Sequence, residues 1–175
     1  MLPTDTVYGL VARASNEHAV RRLYAIKDRP HHAGTIIGAS ISQFEALGFT
    51  SEPLVRANHY WPAPLSVVVN ADTVASYLKA EREELPVRIP GSEPLLTLLN
   101  ASGPLMTTSA NHPKKPTATG LQQAMDYFGD DVDFYVDAGD IGERPPSTII
   151  SFRENGSVVV YREGAVKISS DESSA

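Results

Sequence analysis

The stretch Leu85-Pro-Val-Arg-Ile-Pro-Gly-Ser-Glu-Pro-Leu-Leu-Thr-Leu-Leu-Asn-Ala-Ser-Gly-Pro-Leu-Met-Thr-Thr108 changes its period twice. Residues 85–89 and 105–108 are short apolar runs of strand type, and 93–101 between them repeats its apolar side chains at helical spacing. The same alternation continues in both directions. Toward the N-terminus, 65–70 reads as a strand and 72–80 as a helix. Toward the C-terminus, 117–128 reads as an amphipathic helix, followed by a short apolar strand at 134–136 and a turn-rich stretch, Asp137-Ala-Gly-Asp-Ile-Gly142. Residues 147–152 and 157–161 are two β-branched strands. Arg153-Glu-Asn-Gly156 joins them as a hairpin, since Asn-Gly tolerates positive φ. The expected class is therefore α/β, with one twisted mixed parallel and antiparallel sheet and helices packed around it.

Further helix starts are written before this region. Ser15 or Asn16 can cap a helix through Lys27, in which Ala19, Val20, Leu23, Tyr24 and Ile26 recur at helical spacing before Pro30 stops it. Ser42-Gln-Phe-Glu45 has the form of a capping box, and Ser51-Glu-Pro-Leu54 puts a proline in the first turn of a helix ending near Trp61. Nothing marks a second domain: there is no internal repeat, no low-complexity linker and no break in composition. With 175 residues, 42% of them apolar and 21% charged, the chain fits one ordinary globular core.

Several function classes drop out on composition. The apolar runs are far shorter than the roughly 20 residues a bilayer crossing needs, and no basic-then-apolar leader opens the sequence, so a cytoplasmic protein without membrane contact is expected. The chain has no cysteine, which excludes disulfides, cysteine nucleophiles and thiolate metal sites. A formal net charge of -6 argues against a generally basic nucleic-acid surface, though not against a local cationic pocket. The polar stretch 168–175 holds too little apolar surface to offset its ordering entropy and is expected to be a disordered tail. Met1-Leu2-Pro3 enters a loop motif at once, with Leu2 readable as the last residue of a strand.

No Walker loop, dinucleotide fingerprint, zincin helix or nucleophile elbow is present. The adjacent His31 and His32 read as a solvated loop rather than a metal site, and no metal-ligand set is expected. The chemistry sits instead in hydroxyl and guanidinium groups at strand ends. Pro3-Thr-Asp-Thr-Val-Tyr-Gly-Leu10 gathers Thr4, Asp5, Thr6 and Tyr8 in one turn ahead of a helix. Lys27 and Arg29 stand at that helix's C-terminal end, where the dipole favours cations even without a ligand. Arg88, flanked by Val87 and Ile89, points to the face opposite its neighbours and either covers surface or meets an anion. Thr107-Thr-Ser-Ala-Asn111 ends a strand with three hydroxyls and an amide, suited either to neutral recognition of a nucleotide or carboxylate or to a capped turn. Ser147 and Thr148 enter a strand, and Arg162 leaves one.

Taken in order, Pro3-Thr-Asp-Thr-Val-Tyr-Gly-Leu10, Lys27-x-Arg-Pro30, Trp61-Pro-x-Pro-Leu65, Val87-Arg-Ile-Pro90, Thr108-Ser-Ala-Asn111, Ser147-Thr-Ile149 and Arg162-x-Gly-Ala165 resemble the successive motifs of the YrdC-like family. The resemblance spans nearly the whole chain and implies a YrdC-like domain over 1–167 whose sheet encloses a concave cationic cavity. It implies the family's activity, in which L-threonine, bicarbonate and ATP give threonylcarbamoyl-AMP and pyrophosphate for the t6A modification of tRNA, with Mg2+ assisting. By the same resemblance Thr6 and Arg88 hold threonine, with Thr107 and Ser147 beside it. Arg29, Ser109, Asn111, Thr117 and Arg162 face ATP, Lys27 and Arg29 are the catalytic cations, and Thr4 and Tyr8 shape the pocket with Asn111. Transferase proteins of the t6A pathway are implied partners, and contact with tRNA or double-stranded RNA is a weaker one. The alternatives are a paralogue using another acid or carbamoyl group, and a double-stranded RNA-binding module without catalysis.

The chain also departs from the family pattern. Ala63 and Ser66 stand where the family shows glycine and threonine, and His112-Pro-Lys-Lys-Pro116 replaces a Ser-Gly pair. The family's first strand and the helix before it are expected to be missing.

Overall fold

The structure, a computed structural model, describes residues 1–27 and 34–168. In chain order the elements are β1 (Leu2–Pro3), β2 (Tyr8–Arg13), α1 (Glu17–Ile26), β3 (Thr35–Ile37), α2 (Ile41–Glu45), α3 (Ser51–Ala57), β4 (Leu65–Asn70), α4 (Ser76–Lys79), β5 (Glu84–Arg88), α5 (Glu93–Ser102), β6 (Leu105–Ser109), α6 (Leu121–Phe128), β7 (Thr148–Phe152) and β8 (Val158–Arg162). The strands form one sheet in the order β1-β2-β6-β3-β5-β4-β7-β8. The β3/β5 and β4/β7 pairs are parallel and all other neighbours antiparallel. The expected mixed sheet with packed helices is thus observed. Strands β5 and β6 flank β3 and run in opposite senses, so the opening strand–helix–strand stretch is not a simple parallel crossover.

Alternation along the strands sorts side chains between two faces. On one face Leu65, Val67 and Val69 of β4, Leu85 and Val87 of β5, and Met106 of β6 are buried in one core cluster with Val20, Leu23 and Tyr24 of α1. Asn16 caps α1 by accepting a hydrogen bond from the Ala19 amide at 3.0 Å, so one of the two expected caps is realised. On the other face Val11, Ile37 and Leu105 meet Leu95 and Leu99 of α5. That helix is too short to cover the whole face. Beyond it Gly9, Thr35, Thr107 and Ser109 are left uncovered by any helix, and Pro86 and Arg88 of β5 project on the same side.

Several element boundaries differ from expectation. The helix expected over 72–80 shrinks to α4, because Asn70 Oδ1 accepts from the Asp72 amide and the Val74 amide bonds Ala71 O, forming a turn first. The helix expected from 117 begins at Leu121, since the Ala118 amide is bonded to Ala110 O and Gly120, the N-cap, is extended. Helix α2 starts at Ile41, one residue before the expected capping box, and Gln43 Oε1 accepts from the Ala39 amide instead. Residues 134–136 form no strand. Their backbone bonds to Met1, one at 2.7 Å and one at 2.9 Å, do not extend into a ladder. Strands β2 and β3 were not expected: β2 lies within and beyond a stretch that reads as a loop, and three residues of β3 are too few to show a period. Of the expected tail only Ile168 is described, and it packs partly buried against the core. Among the described residues no helix is long and apolar enough to cross a membrane.

Candidate functional site

The uncovered end of the second face is the floor of a cavity of about 570 Å3. Thr4, Thr6, Val7 and Gly9 form one wall, Thr35, Thr107, Thr108 and Ser109 the floor, and residues 116–119 and 141–144 the rim. Pro86, Arg88, Ser147, Ile149 and Arg162 close the far side. Of the residues singled out in the sequence, Thr4, Thr6, Arg88, Thr107, Ser109, Thr117, Ser147 and Arg162 therefore share one hollow. Arg29 lies outside the described residues, as do His31 and His32. Lys27, Tyr8 and Asn111 stand behind the walls. Glu143 and Arg144 also line the cavity; sequence reasoning missed both, because a turn-rich segment carries no periodicity that points its side chains.

The wall starts at the β1–β2 turn. Thr4 Oγ1 donates to Val7 O at 2.7 Å and accepts from the Thr6 and Val7 amides at 3.2 Å each. With that proton committed, the Thr6 hydroxyl is the donor across the 3.0 Å between the two side chains. This turn aims Asp5 inward. Asp5 Oδ2 accepts from the Gly91 amide at 3.0 Å, and its Oδ1 lies 3.1 Å from Arg88 Nη2, with both side chains 4% exposed. Arg88 Nε is buried with no hydrogen-bond partner. Burial pushes the Arg88 pKa down, the Asp5 carboxylate opposes that shift, and nearby Arg162 adds to it. A guanidinium held this way stays charged and keeps donors in reserve, which makes it a receptor for a planar anion.

Arg162 lies on the same side of the cavity, its own pKa also lowered by burial. Its Nε and Nη2 donate to Ser147 O at 3.0 and 2.8 Å, and Nη2 reaches Ser147 Oγ at 3.2 Å. Ser147 Oγ is 3.0 Å from Ser66 Oγ, both buried. Thr148 anchors the strand behind them: its Oγ1 donates to Val166 O at 2.6 Å and accepts from the Gly164 and Val166 amides at 3.1 and 3.0 Å.

Lys27, a catalytic cation by the resemblance, does not line the cavity. Its ammonium, 1% exposed, donates to Ser109 O at 2.7 Å, to Asn111 O, and to Asn111 Oδ1 at 3.2 Å. Asn111 Oδ1 also accepts from Ser109 Oγ at 2.6 Å, and its Nδ2 donates to Lys115 O at 2.8 Å. Lys27 thus secures the loop that follows β6, and its charge lies behind the floor. Tyr8 has the same kind of role on the other side. Its hydroxyl donates to Gly139 O at 3.0 Å and accepts from the Ala138 amide at 2.9 Å, pinning the 137–142 segment of the rim. Tyr8→Phe removes both bonds and is expected to lower stability by about 1–2 kcal/mol, read as a shifted urea midpoint with unchanged slope. Among the described residues no group of three or more histidine or carboxylate side chains gathers so as to hold a metal ion.

A family model described as "Telomere recombination", covering Sua5, YciO and YrdC proteins, matches residues 1–164. The chain is 33% identical over 157 residues to a threonylcarbamoyl-AMP synthase of Pyrococcus abyssi, a match taking in 87% of this chain and 46% of that protein. It is 33% identical over 169 residues to one of Vibrio cholerae, covering 93% of this chain and 88% of that one. Against the crystal structure of P. abyssi Sua5 complexed with L-threonine the TM-score is 0.79 at 32% identity, over 93% of this chain and 49% of the other. The chain thus spans about half the length of the Pyrococcus relative and most of the Vibrio one.

Proposed function

As the chain belongs to the family of Sua5, YciO and YrdC proteins, we propose that it is a threonylcarbamoyl-AMP synthase, joining L-threonine, bicarbonate and ATP into threonylcarbamoyl-AMP and pyrophosphate. One observation carries the reading: a buried guanidinium, Arg88, held by Asp5 with a donor still unpaired, lines a hollow rimmed by hydroxyls. Such a cation calls for a small carboxylate, and the similar Pyrococcus protein was crystallised as a complex with L-threonine. Arg88 takes the threonine carboxylate as a planar fork, and the Thr6, Thr107 and Ser147 hydroxyls line the space beside it. Ser109, Thr117 and Arg162 face ATP, with Arg29 added from outside the described residues. Asn111 and Lys27 act on the nucleotide through the loop they brace and through the buried positive charge behind it.

The chemistry asks for little beyond positioning. The threonine amine adds to the carbon of bicarbonate with loss of water, and a carbamate oxygen attacks the α-phosphorus. The bond to the bridging oxygen breaks and pyrophosphate leaves with the electron pair. Charge develops on phosphate oxygens, where cations already held in position lower the barrier most. We place Mg2+ on the phosphates of the incoming nucleotide. The product's threonylcarbamoyl group then goes to tRNA through other proteins of the t6A pathway, with AMP released, in the cytoplasm.

The test is incubation with ATP, Mg2+, bicarbonate and each amino acid in turn, with the adenylate and pyrophosphate detected. Threonine is expected to release pyrophosphate well above the other amino acids. Equal or absent release with threonine would overturn the assignment.

A further inference from the structure

The rim segment 137–146 carries a charged pair that the proposed reaction leaves without a role. Glu143 and Arg144 both line the cavity and both are exposed. The backbone on either side of them is tied down. Tyr8 brackets residues 138 and 139, the Ile141 amide bonds Thr119 O at 2.8 Å, and Pro146 O accepts from the Ala165 amide at 2.9 Å. Pro145 and Pro146 restrict φ between Arg144 and Ser147. The Arg144 side chain is aimed as well: its Nε donates to Ile141 O at 2.9 Å. That bond uses one donor and leaves the two terminal nitrogens without a protein partner among the described residues.

The other cations of the cavity are more committed. Arg88, ion-paired with Asp5, keeps its donors for the threonine carboxylate, and Arg162 spends Nε and Nη2 on Ser147. A polyphosphate entering the hollow has many acceptor oxygens and meets few spare donors on those two. Arg144 supplies an unengaged pair at the mouth, already in water and therefore cheap to redirect, on a backbone that need not reorder.

We propose that Arg144 is a further binding residue for the polyphosphate of the nucleotide, and that Glu143 beside it opposes the same anion. The inference rests on the reading of the cavity as a triphosphate site. Arg144 joins the phosphate oxygens from the mouth after the nucleotide enters, and its contact is lost with the leaving pyrophosphate. Glu143 keeps the mouth from holding pyrophosphate too long.

The experiment is calorimetric titration of the full chain with inorganic tripolyphosphate and, separately, with ATP at low and moderate salt. Arg144→Ala is expected to weaken tripolyphosphate binding by about fivefold to tenfold, as for a charge-assisted contact discounted for exposure. Arg144→Lys is expected to recover part of that loss, and Glu143→Gln to tighten binding by about twofold to threefold. The opposite signs are the discriminating readout, because a change that merely loosened the rim would weaken binding in both variants. Unchanged binding in Arg144→Ala, or weakening in both Arg144→Ala and Glu143→Gln, overturns the inference. A wild-type chain that binds neither tripolyphosphate nor ATP overturns the nucleotide reading itself, a different outcome visible before any variant is made.

Discussion

Replacing Arg88 by alanine is expected to reduce kcat/KM for threonine by about 100- to 1000-fold, the range that follows loss of a buried charged partner. The protein supplies no substitute, since Asp5 is the carboxylate paired with Arg88 and a carboxylate cannot receive a carboxylate. Arg88→Lys keeps a charge beside Asp5 but loses the planar fork, and is expected to stay at least about tenfold below wild type. Stability and binding can be separated with a second change. Arg88→Ala leaves Asp5 buried without its counter-charge, which costs about 3–5 kcal/mol; adding Asp5→Asn removes that charge and is expected to restore much of the thermal midpoint without restoring turnover. Threonine-dependent turnover left unchanged in Arg88→Ala would take Arg88 out of the site.

Gly164→Ala is expected to lower stability by about 2–4 kcal/mol, and more than most single additions of a methyl group. A Cβ at this position would lie 2.2 Å from Pro146 O and 2.7 Å from both Ser147 C and Thr148 N. All three are backbone atoms, so no side-chain rotation relieves the overlap. The strand exit at 162–165 must move away from residues 146–148, which breaks the bond from the Ala165 amide to Pro146 O and lengthens those from Arg162 to Ser147 O. Chemical denaturation reads the stability loss, and calorimetry with ATP is expected to show affinity falling with it. A variant of wild-type stability would mean that the two segments slide apart without cost.

The Arg162-x-Gly-Ala165 motif is legible in the sequence as letters, and its reason is visible only in space. Gly164 is demanded by the closeness of residues 146–148, far from it along the chain. The same holds for Lys27. The family resemblance makes Lys27 a catalytic cation, and the fold puts its ammonium on the carbonyls of Ser109 and Asn111, contacts that no local pattern announces. Arg144 shows the opposite failure. Nothing local distinguishes it from any solvated arginine in a turn, and only the path of 137–146 over the cavity gives it a place.

Alternation of strand and helix is a property of the letters alone: their reading matches β4 residue for residue and places α5, β5, β6, β7 and β8 within a residue or two at each end. Candidate hydroxyl and guanidinium groups are legible there too, as residue types gathered near strand ends and in motifs that resemble a family's. That β3 stands between β5 and β6, and that β7 lies against β4, is settled by the folded arrangement and by nothing shorter in range. Strand neighbours are chosen by packing between faces remote along the chain, against the entropy of closing the loops between them, and no window of adjacent residues contains that balance. The gathering of Thr6, Arg88, Ser109 and Ser147 around one hollow is a consequence of that choice.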